Sequence, residues 1–344
     1  MTGDINTVEG IVLRGEDFDP VEGRVVVEDG EIVAIEEETV DSNDIVCPAF
    51  VNAHTHIGDS IAKEAGGGLS LVELVAPPDG LKHRLLRQAS TEELVEAMHR
   101  SMRFMQSTGT AAFVEFREGG VPGVEAIRAA EQGLDIDPVV LGRETVDAMH
   151  HGGADGFGAS GANDAEFGAE REATREAGKI FGIHAGEADP TDIDAAMALD
   201  PDFLVHMVHP KPEQLDRLAE KGTPVAVCPR SNLVTKVGVP PVRELLDRTS
   251  VALGTDNVML DSPSMFREME FTAKLCDVTA TEVLRMATLA GADLAGLNCG
   301  CIEPGRDAKL LVLDGGSDNL AGVRDPVRAV VRRAGSSDVA RVLL

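Results

Sequence analysis

Apolar positions change their spacing twice along the chain. Over the first 46 residues, VEGIVLRG, GRVVVEDG and EIVAIEEE place β-branched residues between Gly and Asp turn signals, which predicts short strands. The end of the chain returns to that pattern in DAKLLVLDGG, PVRAVVRRAG and SDVARVLL. Between them, short apolar runs alternate with longer stretches of helical period, the signature of repeated βα units around a parallel sheet. Eight runs read as strands: CPAFVNAHTH, GTAAFVEF, PVVLGR, DGFGASG, KIFGIHAGE, DFLVHM, TPVAVCPRSN and VALGTDN. The fourth falls in the glycine-rich stretch Gly152 to Gly161, which also reads as a mobile loop. Helices are predicted for TEELVEAMHRSMRFMQ, DAEFGAEREATREAG, KPEQLDRLAEKG and PPVRELLDRTS, and for TATEVLRMATLAGADLAG after the last strand. The expected fold class is α/β: a (β/α)8 TIM barrel over residues 47–298, a span that suits one such barrel.

Composition narrows the setting. The 344 residues carry 59 acidic against 31 basic side chains, a net charge of −28. Arg supplies 23 of the basic residues and Lys only 8. The acids are spread along the chain, as in a protein kept soluble by charge in concentrated salt. Nucleic-acid binding is not expected, because phosphate neutralisation needs a basic face. The five Cys include no C-x-x-C pair, and Cys299 and Cys301 are too close in sequence for good disulfide geometry. The opening MTGDINTVEG lacks an apolar signal core, and no apolar run reaches the length of a membrane span. The expectation is a soluble, reduced, cytoplasmic protein.

The chemistry gathers at the C-terminal ends of the predicted strands, which meet at one face of a barrel. The first strand ends in His54-Thr55-His56, and strand alternation puts both imidazoles on one side, where they can share a transition-metal ion. The fifth ends in His184 with Glu187 three residues on; the sixth carries His206, with His209 nearby; the eighth ends in Gly254-Thr255-Asp256. Four strands thus deliver His, Glu or Asp to one end.

These residues resemble the amidohydrolase superfamily, and within it the cytosine deaminase, guanine deaminase and chlorohydrolase-like branch. The resemblance runs over nearly the whole chain, through CPAFVNAHTH, HAGE, CPRSN, GTDN and the closing EPGRDAKLLVLD. It implies a small composite β-sandwich built from residues 1–46 and 299–344 beside the barrel. It also implies that His54, His56, His184 and Asp256 hold one divalent ion, that Glu187 shuttles protons, and that His206 orients the attacking water. Asn232, with the segment around Cys228 and Arg230, would shape the pocket floor, and His209 would be structural or support the ligands. A nucleophilic role for Cys228 lacks a partnering base.

Binuclear relatives bridge two ions with a carboxylated Lys near the fourth strand. No Lys occurs between Lys82 and Lys179, so that type is excluded, and a bridging Glu115 or Glu144 is the remaining route to two metals. One ion is expected: zinc for three nitrogens and one oxygen, with Fe(II) or Mn(II) as alternatives. The implied activity is hydrolytic deamination of an amino-substituted heterocycle, a purine, pyrimidine or nucleoside-like compound. Glu187 would protonate the ring nitrogen, and Asp256 and His206 would take the water's proton.

The segment from Ile57 to about Arg87 has the length of a loop covering the active face and contains Lys82-His83-Arg84. Arg117, Arg143 and Arg230 follow the second, third and seventh strands. In so acidic a chain these cations suggest an anionic substrate; the alternative is pairing with local acids such as Glu118 and Glu144. Asn257 stands where adenosine-type deaminases carry a second Asp, which puts simple adenosine recognition in doubt. With no Trp or Tyr, a ring would pack on Phe, His, Leu or Met.

Rival readings use the same parts. A cyclic amide or amidine hydrolase, or a chlorohydrolase, would keep this mononuclear site. A non-catalytic barrel serving as a binding protein would be expected to lose ligands, and none is missing. A phosphate-handling barrel would need a glycine-rich phosphate loop, and GGG at residues 66–68 has no Lys-Ser/Thr after it. The resemblance is compatible with a homo-oligomer acting on a small molecule.

Overall fold

A computed structural model describes residues 5–344; the first four residues of the predicted N-terminal unit and of the signal-peptide reading lie outside them. The strands, in chain order, are β1 (Ile5–Arg14), β2 (Asp19–Glu28), β3 (Glu31–Glu37), β4 (Ile45–Pro48), β5 (Phe50–His56), β6 (Thr110–Arg117), β7 (Asp137–Gly142) and β8 (Gly156–Ala159). They continue as β9 (Ile180–Ala185), β10 (Phe203–His206), β11 (Val225–Val227), β12 (Val251–Leu253), β13 (Asp256–Asn257), β14 (Leu310–Leu313) and β15 (Val339–Leu343).

Nine of these form one parallel sheet in the order β12-β11-β10-β9-β8-β7-β6-β5-β13. Only Gly254 and Thr255 separate β12 from β13, so the two ends of that order are halves of one interrupted strand and the pairing runs full circle. At the join Asp256 pairs with Thr55 and Asn257 with His56. The result is a TIM-like α/β fold with all eight predicted strands in sequence order. The glycine-rich fourth run is a strand after all. A Cβ on Gly156 would stand 2.1 Å from the Ile180 carbonyl oxygen, and one on Gly158 would stand 2.5 Å from the Phe116 ring. These glycines mark close approach of neighbouring backbone and an aromatic core, not mobility.

Helices fill the intervals. Thr91–Ser107 begins with a capping box from Ser90 and Glu93 and buries Met98, Met102 and Met105 at helical spacing. Pro212–Lys221 has Pro in its first turn and ends at Gly222 in the left-handed region. The stretch after the last barrel strand breaks at Thr288 into helices Ala280–Ala287 and Leu289–Ala295. The segment after His56 is not the open loop expected from its length. It folds as a 3-10 turn (Ile57–Ala62) and two helices, Leu71–Val75 and Leu81–Gln88.

Both termini contribute to a second, six-stranded sheet in the order β15-β14-β4-β1-β2-β3. Strand β1 runs parallel to β4 and the other pairs are antiparallel, which makes one mixed sheet. Only Ala49 lies between β4 and β5, so the chain passes from this sheet straight into the barrel. One predicted strand is wrong: PVRAVVRRAG forms a helix, Pro326–Arg332. Asp325 caps it by accepting the Arg328 N–H at 2.9 Å, Pro326 fits its first turn, and Val327, Val330 and Val331 are buried at i, i+3 and i+4. The β-branched composition suggested a strand, but spacing and cap decide the outcome. All five Cys are free, and no helix among the described residues is long and apolar enough to cross a membrane.

Candidate metal centre and active site

The carboxyl ends of the barrel strands converge on a cavity of about 240 Å³. His56, His184, His206, Asp256, Glu187 and Asn257 line it, facing Lys82, His83 and Arg143. Helix Leu71–Val75 contributes an apolar wall through Leu71, Val72 and Val75. Phe116 is buried against the histidines, its ring centroid 4.6 Å from that of His54 and 4.9 Å from that of His184.

The ring nitrogens report what the cluster can hold. The His184 Nδ1 lies 2.8 Å from the Ala159 carbonyl oxygen, so that nitrogen carries the proton and Nε2 presents a lone pair. The His56 Nδ1 lies 3.2 Å from the Phe116 carbonyl and 2.8 Å from Glu118 Oε1, both acceptors, so its Nε2 is bare as well. These two bare nitrogens face each other at 3.3 Å. Burial keeps both rings neutral: it pushes the pKa of His56 down to about 3 and that of His184 well below its ordinary value. Neither ring nitrogen of buried His54 has a hydrogen-bond partner, and burial lowers its pKa to about 4. Asp256 Oδ1 lies 3.4 Å from His54 Nε2 and 3.6 Å from His56 Nε2. Converging lone pairs beside a carboxylate repel one another unless a cation sits among them, and the donor set fits one metal ion. The groups His54, His56, His184 and His54, His206, Asp256 each bring ligand atoms within 4.8 Å of one another.

Two site residues adopt the left-handed region, Asp256 with φ 58° and His206 with φ 77°, a conformation that is infrequent for non-glycine residues and that this chain also uses away from the site at Asp29 and Asp200. The Asp256 carboxylate is fixed by Ser231 Oγ, which donates to Oδ2, and by Asn257 Nδ2, which donates to Oδ1 at 2.8 Å. Burial alone would raise its pKa, but His54 and His206 hold it well below the carboxylate range. His206 lies with Nε2 3.6 Å from Glu187 Oε2 and Nδ1 3.2 Å from Asn232 Nδ2. Glu187 keeps one side on the cavity, and burial of the rest raises its pKa, as suits a group that must hold a proton.

The predicted substrate residues divide. Lys82, Arg143, Asn257 and Asn232 lie at or against the cavity. Lys82 is buried, with Nζ 2.7 Å from Glu118 and 3.2 Å from Asn257 Oδ1. Arg84, two residues on along the same helix, is exposed and outside the cavity, because successive helical residues point in different directions. Arg117 is fully buried behind the site, 3.6 Å from Glu115 and 3.9 Å from Glu118. Arg230 is buried against Asp261 and Glu268. For these last two, pairing with acids prevails over substrate contact. Neither alternative bridging carboxylate joins the cluster. Glu115 accepts from Thr55 Oγ1 and the Ile57 N–H, and Glu144 accepts from the Gly119 N–H. Burial pushes the Cys228 thiol up, which removes it as a nucleophile, and His209 bonds the Val237 carbonyl away from the centre.

Sequence reading missed two residues of the site. Ser231 sits inside the CPRSN motif, where its hydroxyl could have been read as an orienting donor. Glu118 was weighed only as a partner for Arg117; no local signal tells that its carboxylate turns toward His56 and Lys82.

A closed ring of parallel strands with a histidine–carboxylate centre at its carboxyl ends defines a barrel hydrolase of the metal-binding kind. The model of the amidohydrolase family matches residues 159–343. A protein of Methanothermobacter thermautotrophicus with the name "Putative aminohydrolase" is 35% identical over 377 residues, covering 97% of this chain and 96% of that protein. The 5-methylthioadenosine/S-adenosylhomocysteine deaminase of Halobacterium salinarum is 28% identical, covering 98% and 90%. Among solved structures, a zinc-bound adenosine deaminase of Xanthomonas campestris superimposes with a TM-score of 0.85 at 21% identity, covering 98% of this chain and 91% of that one, a likeness of fold. The chain belongs to the amidohydrolase family. It is an enzyme of the aminohydrolase type, acting on carbon–nitrogen bonds.

Proposed function

We propose that this chain is a mononuclear enzyme that releases ammonia from an amino-substituted heterocycle of nucleoside-like kind. The observation that carries the reading is Glu187, which lines the cavity beside the histidine cluster with Oε2 3.6 Å from His206 Nε2, with burial raising its pKa. In this reading His54, His56, His184 and Asp256 hold one zinc ion. Bound there, the ion supplies a Lewis acid that brings the pKa of a water toward neutrality. His206 and Asp256 orient that water and take its proton. Glu187 gives a proton to the ring nitrogen beside the amino-bearing carbon as the water's oxygen adds to that carbon. As a carboxylate it then takes the remaining proton of the added hydroxyl and passes it to the departing amine, ammonia leaves as the C=O forms, and the proton held by His206 and Asp256 returns to Glu187. The hydrophobic wall of Leu71, Val72 and Val75 packs one face of the ring and excludes water from it. Lys82 and Arg143 favour a substrate that carries an anionic or strongly accepting group. The name of the Halobacterium relative, an adenine-nucleoside deaminase, supports the leaving group and the ring class.

The test is ammonia release in molar salt, with zinc supplied, from aminopurines and aminopyrimidines offered as bases, nucleosides, 5′-thio nucleosides, and phosphorylated or carboxylated forms. Ammonia from one class, abolished in Glu187→Gln, is the expected result. Silence across the panel with one metal bound per chain would overturn deamination and leave amide or halide hydrolysis on the same centre.

A further inference from the structure

We infer that Glu118 is a positioning residue that ties the histidine centre to the cationic wall of the cavity, an inference that rests on reading that centre as a metal site. Glu118 is 3% exposed, and one of its oxygens does three things. Its Oε1 lies 2.8 Å from His56 Nδ1, 2.7 Å from Lys82 Nζ and 3.4 Å from Arg143 Nη1. From Lys82 the chain of contacts continues to Asn257 Oδ1 at 3.2 Å, and from Asn257 Nδ2 to Asp256 Oδ1 at 2.8 Å. Two proposed ligands on opposite sides of the barrel seam are therefore joined outside the ion by Glu118, Lys82 and Asn257.

Each link has a physical role. A carboxylate on His56 Nδ1 fixes the tautomer and turns Nε2 toward the centre, the arrangement that raises the basicity of a ligating imidazole. The same negative charge offsets two buried cations that line the cavity. Without it, the repulsion of a divalent ion by the Lys82 ammonium and Arg143 guanidinium would be opposed among the proposed ligands by Asp256 alone. Lys82 in turn uses two of its three N–H donors on Glu118 and Asn257, which leaves one for the cavity it lines. Glu118 thus sets the aim of a ligand and of a substrate-facing donor together.

The electrostatic part predicts opposite signs for two neutralising substitutions. Zinc affinity is measured by chelator competition on the purified full-length chain. Glu118→Gln is expected to weaken zinc about 10- to 100-fold, the usual effect of removing such a support. Lys82→Met, which removes a cation from the same contact, is expected to bind zinc as tightly as the parent or more tightly. A substitution that merely disturbs packing would weaken both, and that result would overturn the inference, as would an unchanged affinity in Glu118→Gln. If Glu118→Gln does not fold, the double variant Glu118→Gln/Lys82→Met removes the buried pair together. Its affinity is then expected to fall below that of Lys82→Met by a smaller factor, because the Lys82 charge that Glu118 offsets is gone while the His56 contact is still lost, and equality would overturn the inference. A parent chain that binds no zinc would instead overturn the metal reading itself.

Discussion

Ser231 Oγ lies 2.5 Å from Asp256 Oδ2, a hydrogen bond buried on both sides. It fixes the carboxylate plane of a residue whose backbone is already held in a left-handed conformation. Ser231→Ala removes the donor without adding bulk. Zinc affinity is expected to fall about 10-fold with little change in the metal-free melting temperature, as chelator titration and calorimetry will show.

Two arginines from the same sequence argument now have different prospects. Arg143 lines the cavity, whereas Arg84 is exposed outside it. Arg84→Ala is expected to leave KM within about twofold of the parent, because exposed substitutions away from a site are near neutral. Arg143→Met is expected to raise KM about 10-fold or more for an anionic substrate, the loss of one charge-assisted hydrogen bond. Equal KM values for the two variants would remove Arg143 from the substrate site.

Gly158 has no room for a side chain. A Cβ there would stand 2.5 Å from the Phe116 ring, which is itself packed against His54, His184 and Phe203. Gly158→Ala is expected to cost about 1–3 kcal/mol, the usual range for overpacking. Because the displaced ring packs on two of the proposed ligands, His54 and His184, zinc affinity should fall along with the unfolding midpoint. A loss of stability with unchanged zinc affinity would separate Phe116 from the ligands.

Glu268 offers a pH test away from the active centre. Burial pushes its carboxyl up to about 8, against the pull of Arg230. The folded chain therefore keeps a proton there that the unfolded chain releases near the ordinary carboxylate value. The associated stability is complete below about pH 4 and is lost as pH rises toward 8. Denaturant midpoints at constant salt should fall with pH across that window. In Glu268→Gln the slope should be shallower by roughly 1 kcal/mol per pH unit. An unchanged slope would mean that Glu268 is ionised throughout.

The barrel was legible because period-two runs and helical runs alternate cleanly, and because strand ends carry the histidines and acids together. Legibility failed where a side chain's direction depends on what packs around it. Lys82, His83 and Arg84 are equivalent in sequence, yet one helix buries the first, lines the cavity with the second and exposes the third. The sequence suggests Glu118 as the partner of Arg117, yet Glu115, on the same strand face by alternation, lies nearer, and that Arg117 would lie wholly behind the site was not readable. Glu118 reads in the sequence only as a partner for a neighbouring arginine, because His56 and Lys82 come from elements far away in the chain. Near the C-terminus, valine-rich composition suggested a strand where Asp325 and Pro326 start a helix.

The seam of the barrel has a consequence for how the molecule is made. Asn52 and Thr255, 203 residues apart, meet there through a 2.7 Å side-chain hydrogen bond, one step from His54 and Asp256. A growing chain that has not yet delivered residue 256 owns the histidines but lacks the carboxylate. On the proposed ligand set, an ion held by both edges would act as a latch, adding its binding free energy to the last stave of the ring. Full metal occupancy would then mark a chain that has delivered Asp256, and a chain truncated before β13 should be left with an open barrel.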